Sequence, residues 1–331
     1  MTRRRYDESD VRIRPGKGTR PRTKTRPEHL DAERALVVSV DRGRWGCMVL
    51  DGQPGERLVV AMRARELGRT PIVVGDHVGI VGDTSGTHDT LARIVRLEER
   101  TSVLRRTADD TDPFERIVVA NATVLLIVVA AAEPPPRTGF VERALIAAYV
   151  GGLKPVLCVT KSDIADPSTF TAHFDGLDLP IVTTGVEDDL KPLLEHISGT
   201  MSAMIGHSGV GKSTLVNRLV PDAYRATGRV SGVGKGRHTS SQSVALALPG
   251  GGWVIDTPGV RSFGLAHIGV EDVVAAFDDL TEIVERCPRG CGHLGAPEDP
   301  GCAFDQLEGA VLRRAMAVRL LLEALGTNDP W

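Results

Sequence analysis

The pattern of apolar and polar positions changes twice along the chain. Residues 36–105 contain short β-rich runs such as ALVVSV and IVVGDHVGIV between Gly, Asp and Pro, which is typical of a small OB-type β-barrel. In residues 106–265 near-continuous apolar runs alternate with helix-length segments, as expected for buried parallel strands with crossover helices. Residues 266–331 are helical in pattern and surround a group of Cys and His. We therefore expect a multidomain α/β protein.

A basic arm precedes the first apolar run. The chain has 331 residues and a formal net charge of −3, yet Arg3–Arg26 holds ten Lys or Arg residues. A segment without apolar periodicity cannot pack a core, so we expect residues 1–35 to be disordered, with nucleic acid as a partner. A solubilising tail is the alternative interpretation.

The apolar content is too dispersed for a membrane protein. The longest apolar run, Ala122–Ala132, is well short of the roughly 20 residues that a membrane-spanning helix needs, and it predicts a buried strand. The basic N-terminus lacks the apolar stretch of a secretory signal. We therefore expect a cytoplasmic protein without a membrane partner.

The segment MSAMIGHSGVGKSTLVNRLV has the pattern of a strand, a glycine-rich turn and a helix start. It contains the GxxxxGK[ST] spacing of a phosphate-binding loop, in which backbone N–H groups surround phosphate oxygens at a helix N-terminus. Lys212 is expected to reach the β- and γ-phosphates as a catalytic contact, and Ser213 to bind Mg²⁺. The nucleotide-binding residues predicted in this loop are Gly206, Ser208, Gly209, Val210, Gly211, Lys212, Ser213 and Thr214.

A second phosphate-side motif follows in GGWVIDTPGV. Asp256 ends the predicted strand, where it can hold Mg²⁺ directly or through water, and the backbone of Gly259 can approach the γ-phosphate. The intervening segment TGRVSGVGKGRHTSS is too rich in Gly and cations to pack, which indicates a loop that becomes ordered around nucleotide. Within this loop, Thr239 is expected to be the second hydroxyl ligand to Mg²⁺.

Guanine recognition is predicted after the run PVLCVT, where a doubly wound sheet places ligand contacts. The Asp163 carboxylate can accept parallel hydrogen bonds from N1–H and the 2-amino group of guanine, and adenine has no such donor pair. The aliphatic part of Lys161 can cover the base. A helix cap before IADPSTF is the alternative interpretation. A further run, PIVTTG, brings Thr183 and Thr184 close to the base edge.

Potential metal ligands are grouped near the C-terminus: Cys287, Cys291, His293 and Cys302. Together they can form a closed Cys₃His site, which suits structural Zn²⁺ because protein fills all positions. Eight residues separate His293 from Cys302, so Cys302 is the least secure ligand. Free or buried cysteines beside a surface His are the alternative. Cys47 and Cys158 lie inside apolar runs and are expected to be core residues.

The motif order TKSD, VTTG, GHSGVGKS, GRHTS, DTPGV, with a barrel in front and a Cys/His cluster behind, resembles the ribosome small subunit-dependent GTPase A family over roughly residues 36–325. The resemblance implies an OB-fold, a circularly permuted P-loop GTPase domain and a helical zinc-binding domain, with one Zn²⁺ per chain. It also implies GTP hydrolysis to GDP and phosphate in late maturation of the small ribosomal subunit, contact with its rRNA, and stimulation by the ribosomal particle. We expect a monomer.

The chain departs from familiar patterns at the base and at the attacking water. The family often has Asn where this chain has Thr160, which predicts one weaker base contact while Asp163 is kept. Val260 follows the glycine of DTPG, and an aliphatic side chain cannot polarise water as the Gln of Ras-like enzymes does. His238 occupies the position of the family's proposed catalytic His beside Thr239, and we expect it to position the water. A solvated His or an RNA contact is the alternative.

Other classes of function fit parts of the pattern. A P-loop kinase or ATPase would need a lid and an acceptor-binding subdomain, and it would not account for Asp163. A non-catalytic zinc- and RNA-binding protein would have a damaged loop, whereas Lys212, Ser213 and Asp256 are intact. The sequence therefore favours a Mg²⁺-dependent GTPase.

Overall fold

The computed structural model describes residues 29–49, 53–87, 89–112, 114–221, 243–257 and 264–326. The strands in chain order are β1 Glu33–Asp41, β2 Arg44–Val49, β3 Arg57–Arg63, β4 His77–Gly82, β5 Ala92–Leu97, β6 Val103–Arg106, β7 Arg116–Ala120, β8 Val124–Ala130, β9 Lys154–Thr160, β10 Ile181–Thr184, β11 Met201–Ile205, β12 Val244–Ala247 and β13 Trp253–Asp256. The α-helices are α1 Thr138–Val150, α2 Ser168–Thr171, α3 Lys191–Ile197, α4 Lys212–Leu219, α5 Val270–Ala275, α6 Asp278–Val284 and α7 Gly309–Gly326.

The first five strands close into a barrel in the order β1-β2-β3-β5-β4, with β4 returning to β1. Only the β3–β5 pair is parallel among them. The barrel predicted from the short β-rich runs is therefore confirmed. Its first strand begins at Glu33, slightly before the predicted boundary at residue 36, and residues 1–28 of the predicted arm lie outside the described residues.

Both faces of β1 are buried. Ala35 and Val37 pack inside the barrel, whereas Leu36 and Val38 pack in the core of the central domain. A strand that is covered on both sides needs apolar residues at successive positions rather than at alternate ones, which explains the run ALVVSV.

The central sheet has the strand order β10-β9-β8-β11-β13-β12, and all pairs except β12–β13 are parallel. Every residue of β8 is buried, which confirms the strand predicted from the longest apolar run. The strand order reverses between β8 and β11, and such a reversal opens a crevice at the carboxyl ends of parallel strands. Cys47 in β2 and Cys158 in β9 are buried core residues, as predicted.

The barrel and the central sheet are joined edge to edge. β12 pairs with β1 of the barrel through Ser39 and Val244, so the two sheets form one continuous 11-stranded sheet. β12 follows directly after the segment 222–242, which lies outside the described residues.

The chain enters and leaves the central domain at neighbouring positions. Thr107, after β6, forms an antiparallel bridge with Gly264, and the Thr107 amide donates to the Gly264 carbonyl at 2.9 Å. The next residue, Leu265, donates its amide to the Asp110 carboxylate at 2.9 Å. Asp110 also pairs with Arg143 of α1, which in turn donates to the carbonyl of Ala324 in α7 at 3.1 Å.

The C-terminal domain is helical, as predicted. Its helices α5 and α7 pack against α1 of the central domain, and Phe277, between α5 and α6, is buried in the shared core. Among the described residues, no helix combines the length and apolar character required to cross a membrane.

Candidate nucleotide-binding site and metal centre

The predicted phosphate loop lies between the end of β11 and the start of α4. Gly209 and Gly211 have positive φ angles of 85° and 90°. A Cβ atom at Gly206 would lie 2.3 Å from the carbonyl oxygen of Val128 in β8, so only glycine fits where the loop leaves the sheet. The loop thus runs closely past β8 to a helix N-terminus, the arrangement that binds phosphate.

Lys212 and Asp256 are two partly buried, oppositely charged groups at this site, and they interact electrostatically. The Lys212 ammonium donates to the carbonyl of His207 at 3.2 Å and to that of Gly206. Burial lowers the pKa of Lys212, and Asp256 opposes the shift. Burial raises the pKa of Asp256, and Lys212 opposes that shift.

The Asp256 carboxylate is suited to a bound cation. Its Oδ1 atom is buried and has no hydrogen-bond partner within the described part of the chain. A buried carboxylate oxygen costs free energy unless it is paired, and Mg²⁺ is bound in proteins through one or two carboxylates together with substrate phosphates. The residues at this site therefore fit a Mg²⁺–nucleotide complex.

Thr160 connects the predicted guanine motif to the phosphate loop. Its side chain is buried, at 7% exposure, and its hydroxyl lies 2.5 Å from the carbonyl oxygen of Val210 and 3.1 Å from that of Val129. Thr160 thus contacts the phosphate loop directly, which the sequence did not reveal, and its base contact stays a prediction.

The ends of β9 and β10 bring the predicted base-reading residues together. Asp163 is exposed, and a Cβ atom at Gly185 would lie 2.9 Å from its Oδ1. The Ser162 amide donates to the carbonyl of Thr184 at 3.5 Å. Lys161 donates to the carbonyl of Glu133, after β8. An open carboxylate therefore lies beside the backbone of the neighbouring loop.

Thr183 and Thr184 have different surroundings. The side chain of Thr183 is exposed, whereas that of Thr184 is buried and donates to the carbonyl of Gly185 at 3.1 Å. Sequence reasoning missed Gly185, as well as Asp188 and Arg218, which bond to it. Gly185 ends the VTTG run, but no role was assigned to it, and Asp188 and Arg218 lie outside the spaced motif positions, so no local signal identified their contacts.

A cavity of about 330 Å³ adjoins the phosphate loop. It is lined by the prolines that follow β8, by Arg137 and Phe140, and by His207 of the loop. The His207 ring lies 4.3 Å from that of Phe140 between centroids, and its Nε2 is buried without a partner among the described residues. Burial lowers the pKa of His207, and the charges of Arg137 and Lys212 lower it further.

The four predicted metal ligands converge in the C-terminal domain. The ligand atoms of Cys287, Cys291, His293 and Cys302 all lie within 4.8 Å of one another. His293 Nδ1 is 3.4 Å from the sulfur of Cys287 and 3.9 Å from that of Cys302. Cys302, the least secure ligand by spacing, is fully buried within this cluster. A closed set of three sulfurs and one imidazole nitrogen fits tetrahedral Zn²⁺.

The backbone around the cluster is held by neighbouring side chains. The Asp299 carboxylate accepts the amides of Gly292 and Leu294, each at 2.9 Å. Arg319 of α7 donates to the carbonyl of His293 at 2.9 Å. These contacts fix the turn that carries His293, and such outer contacts orient metal ligands.

Several predicted site residues cannot be placed. His238, Thr239, Gly259 and Val260 lie outside the described residues. Their expected roles remain predictions.

Comparison with known proteins agrees with the permuted motif order. A model of the RsgA GTPase family matches residues 97–266. The small ribosomal subunit biogenesis GTPase RsgA of Gemmatimonas aurantiaca is 34% identical over 275 residues, which cover 80% of this chain and 88% of that relative. The protein of the same name from Ectopseudomonas mendocina is 35% identical over 207 residues, and the match spans 59% of this chain and 60% of that relative.

Solved structures match the fold over most of the chain. The crystal structure of YjeQ from Thermotoga maritima has a TM-score of 0.63 at 24% identity, covering 89% of this chain and 99% of that one. The crystal structure of YloQ, described as a circularly permuted GTPase, has a TM-score of 0.61 at 20% identity, covering 90% and 96%. From the family match, the relatives and the shared permuted architecture, it follows that the chain belongs to the RsgA GTPase family.

Proposed function

We propose that the protein hydrolyses GTP to GDP and phosphate in a Mg²⁺-dependent reaction, and that it acts in late maturation of the small ribosomal subunit. The observation that carries the proposal is the meeting of Asp163 and the phosphate loop at one edge of a parallel sheet, joined by the bond between Thr160 and Val210. The names of the relatives, small ribosomal subunit biogenesis GTPases, support the ribosomal role.

In this proposal the two ends of the nucleotide are held by different elements. Asp163 reads the guanine edge, while Thr160, Lys161 and Thr183 complete the base site. The phosphates lie on the loop from Gly206 to Thr214, with Lys212 in contact with the β- and γ-phosphates. Ser213, Thr239 and Asp256 hold Mg²⁺, which neutralises phosphate charge when bound, and Gly259 approaches the γ-phosphate.

His238 positions the attacking water in this proposal. It lies next to Thr239, so the segment that brings a hydroxyl to Mg²⁺ also brings the imidazole to the γ-phosphate. The ribosomal particle accelerates hydrolysis by ordering this segment around the nucleotide.

The surrounding domains serve attachment and structure. One Zn²⁺ per chain binds the Cys₃His cluster and stabilises the helical domain. The barrel and the basic arm contact rRNA of the small subunit, and the protein works as a monomer in the cytoplasm.

The first experiment measures GTP hydrolysis alone, with purified small subunits and with purified large subunits. Stimulation by the small subunit and its loss in Lys212→Ala are expected, together with cosedimentation that depends on the bound nucleotide. An absence of GTP hydrolysis under all conditions rejects the enzymatic proposal, and equal stimulation by both subunits rejects the ribosomal one.

The second experiment tests His238 in single-turnover hydrolysis with the small subunit present. His238→Ala is expected to lose about 10²–10⁴-fold in rate, with unchanged affinity for nucleotide and subunit. His196→Ala, at an exposed position of α3, is the matched control. An unchanged rate in His238→Ala rejects the role.

A further inference from the structure

An arginine outside the recognised motifs contacts the base-reading loop. Arg218 lies on α4, the helix whose N-terminus follows the phosphate loop. Its Nη1 donates to the carbonyl of Gly185 at 2.9 Å and lies 3.5 Å from the hydroxyl of Thr184, and its Nη2 donates to the carbonyl of Asp188. A single guanidinium therefore bonds to three residues of one loop.

We propose that Arg218 is a positioning residue that holds the loop 184–188 beside Asp163 and so makes the site selective for the 6-oxygen of guanine. This inference rests on the proposed GTPase function. In this inference Arg218 does not contact the nucleotide, but it determines the position of the loop backbone that lies beside the base.

The loop is closed by its own contacts as well. The Asp188 carboxylate accepts the Gly185 amide at 2.6 Å, and the carbonyl of Gly185 accepts both Arg218 and the hydroxyl of Thr184. These bonds determine the conformation of the loop. The bonds from Arg218 hold the loop against α4, whose N-terminus follows the phosphate loop.

The position of the loop matters because it lies against the specificity carboxylate. A Cβ atom at Gly185 would lie 2.9 Å from Asp163 Oδ1, so the loop backbone directly adjoins the group that takes N1–H and the 2-amino group. The remaining polar atom on that edge of guanine is the 6-oxygen. The 6-oxygen is an acceptor, so it needs a backbone N–H of this loop. The Gly185 amide is bound to Asp188, so the donor must come from the amides of residues 186–188.

A guanidinium is better suited to this task than an ammonium. It presents donors in a planar fork, so it can bond two carbonyls that lie in different directions while keeping one geometry. Hydrogen bonds from a charged donor are also stronger than neutral ones. A lysine at this position can donate to one of these carbonyls, but it lacks the planar pair of donors that reaches both.

The test compares GDP with two analogues that each change one edge atom. Inosine diphosphate lacks the 2-amino group read by Asp163, and 6-thio-GDP replaces the 6-oxygen with sulfur, a weaker acceptor. In Arg218→Ala we expect GDP affinity to fall by about 10-fold, as for the loss of a charge-assisted hydrogen bond. The preference for GDP over 6-thio-GDP should disappear, while the preference for GDP over inosine diphosphate remains.

Kinetics separate this role from a general structural one. Stimulated hydrolysis by Arg218→Ala should show a raised KM and an unchanged kcat, because the phosphate chemistry is not altered. Arg218→Lys should recover part of the affinity. Arg313→Ala, which removes a guanidinium from an exposed position of α7, should match the wild type. Unchanged GDP binding, or an equal loss for all three nucleotides, overturns the proposal.

Hydrogen exchange of the nucleotide-free full chain tests the positioning without any assumption about the ligand. Amides of residues 184–188 should exchange faster in Arg218→Ala than in the wild type. If the wild type binds no guanine nucleotide, the proposed function fails, while faster exchange still supports the contact between Arg218 and the loop. Unchanged exchange overturns the positioning role.

Discussion

The hydroxyl of Thr160 lies 2.5 Å from the carbonyl oxygen of Val210. Thr160 ends β9 and belongs to the predicted guanine motif, whereas Val210 belongs to the predicted phosphate loop. One buried hydrogen bond therefore links the two predicted halves of the nucleotide site. An asparagine amide can donate to a carbonyl in the same way. The threonine of this chain therefore provides a donor at a position where the family often has Asn.

Replacing Thr160 by Val removes this donor with little change in shape. The buried Val210 carbonyl then loses a partner, which costs about 1–3 kcal/mol. Thr160→Val is expected to lower both the thermal unfolding midpoint and the GDP affinity, measured by calorimetry and titration. Thr160→Ser keeps the hydroxyl and serves as the control. Equal behaviour of the two variants contradicts the prediction.

Asp163→Asn should change the preferred base. One acceptor oxygen becomes an amide donor, so GTP binding should weaken by about 10- to 150-fold, the range for hydrogen bonds to charged groups. A base with oxygen at the 2-position, such as xanthine, should gain in relative affinity. Competition between GTP and XTP measures this change. Asp175→Asn, at an exposed position, is the control, and a wild-type preference in Asp163→Asn contradicts the assignment.

Metal analysis of the purified protein should find about one Zn²⁺ per chain. Cys302→Ser should lose the metal and the local order of the C-terminal domain, with guanine binding largely retained, because the cluster lies outside the nucleotide site. Cys158→Ala, in the central sheet, should keep the metal. A fully folded wild type without metal is the result that removes the zinc site.

His207 should make the folded protein sensitive to mild acid. Because burial and two nearby cations lower its pKa, folded His207 binds fewer protons than the unfolded chain, in which the pKa is about 6.5. Stability therefore decreases as the pH falls through that value towards the lower folded pKa. The thermal midpoint should fall less between about pH 7.5 and about pH 5.5 in His207→Gln than in the wild type or in the exposed control His196→Gln. Equal losses in all three contradict the prediction.

Features with a fixed local spacing were predictable from sequence. The phosphate loop needs glycines at defined positions because its backbone passes β8 within contact distance, as Gly206 shows. The run at β8 is apolar throughout because its alternate residues pack into two different hydrophobic cores, one on each face of the sheet. In these cases the physical requirement applies to residues that are close together along the chain, so it can be recognised in the amino-acid sequence.

Contacts between distant segments were not predictable in this way. Arg143 lies in the apolar run VERALIAAYV, yet its side chain is only 1% exposed because Asp110 pairs with it. Cys302 looked insecure by spacing, but the turn before it is held by Asp299 and carries His293 back to the cysteines. Asp110 is 33 residues away from Arg143 along the chain, and Asp299 lies within the turn itself but belongs to no spaced motif, so no sequence pattern identifies either partner.

The bridge between Thr107 and Gly264 bears on how a permuted chain can fold at all. When the ends of a domain are adjacent, the order of its segments can be rearranged without disturbing the core, since rejoining them needs no long connection. Gly264 lies directly before the segment that leads into the helical domain, and its bridge to Thr107 anchors this junction to the entrance of the central domain. The helical domain that carries the Cys₃His cluster is therefore attached at the place where the chain both enters and leaves the central domain.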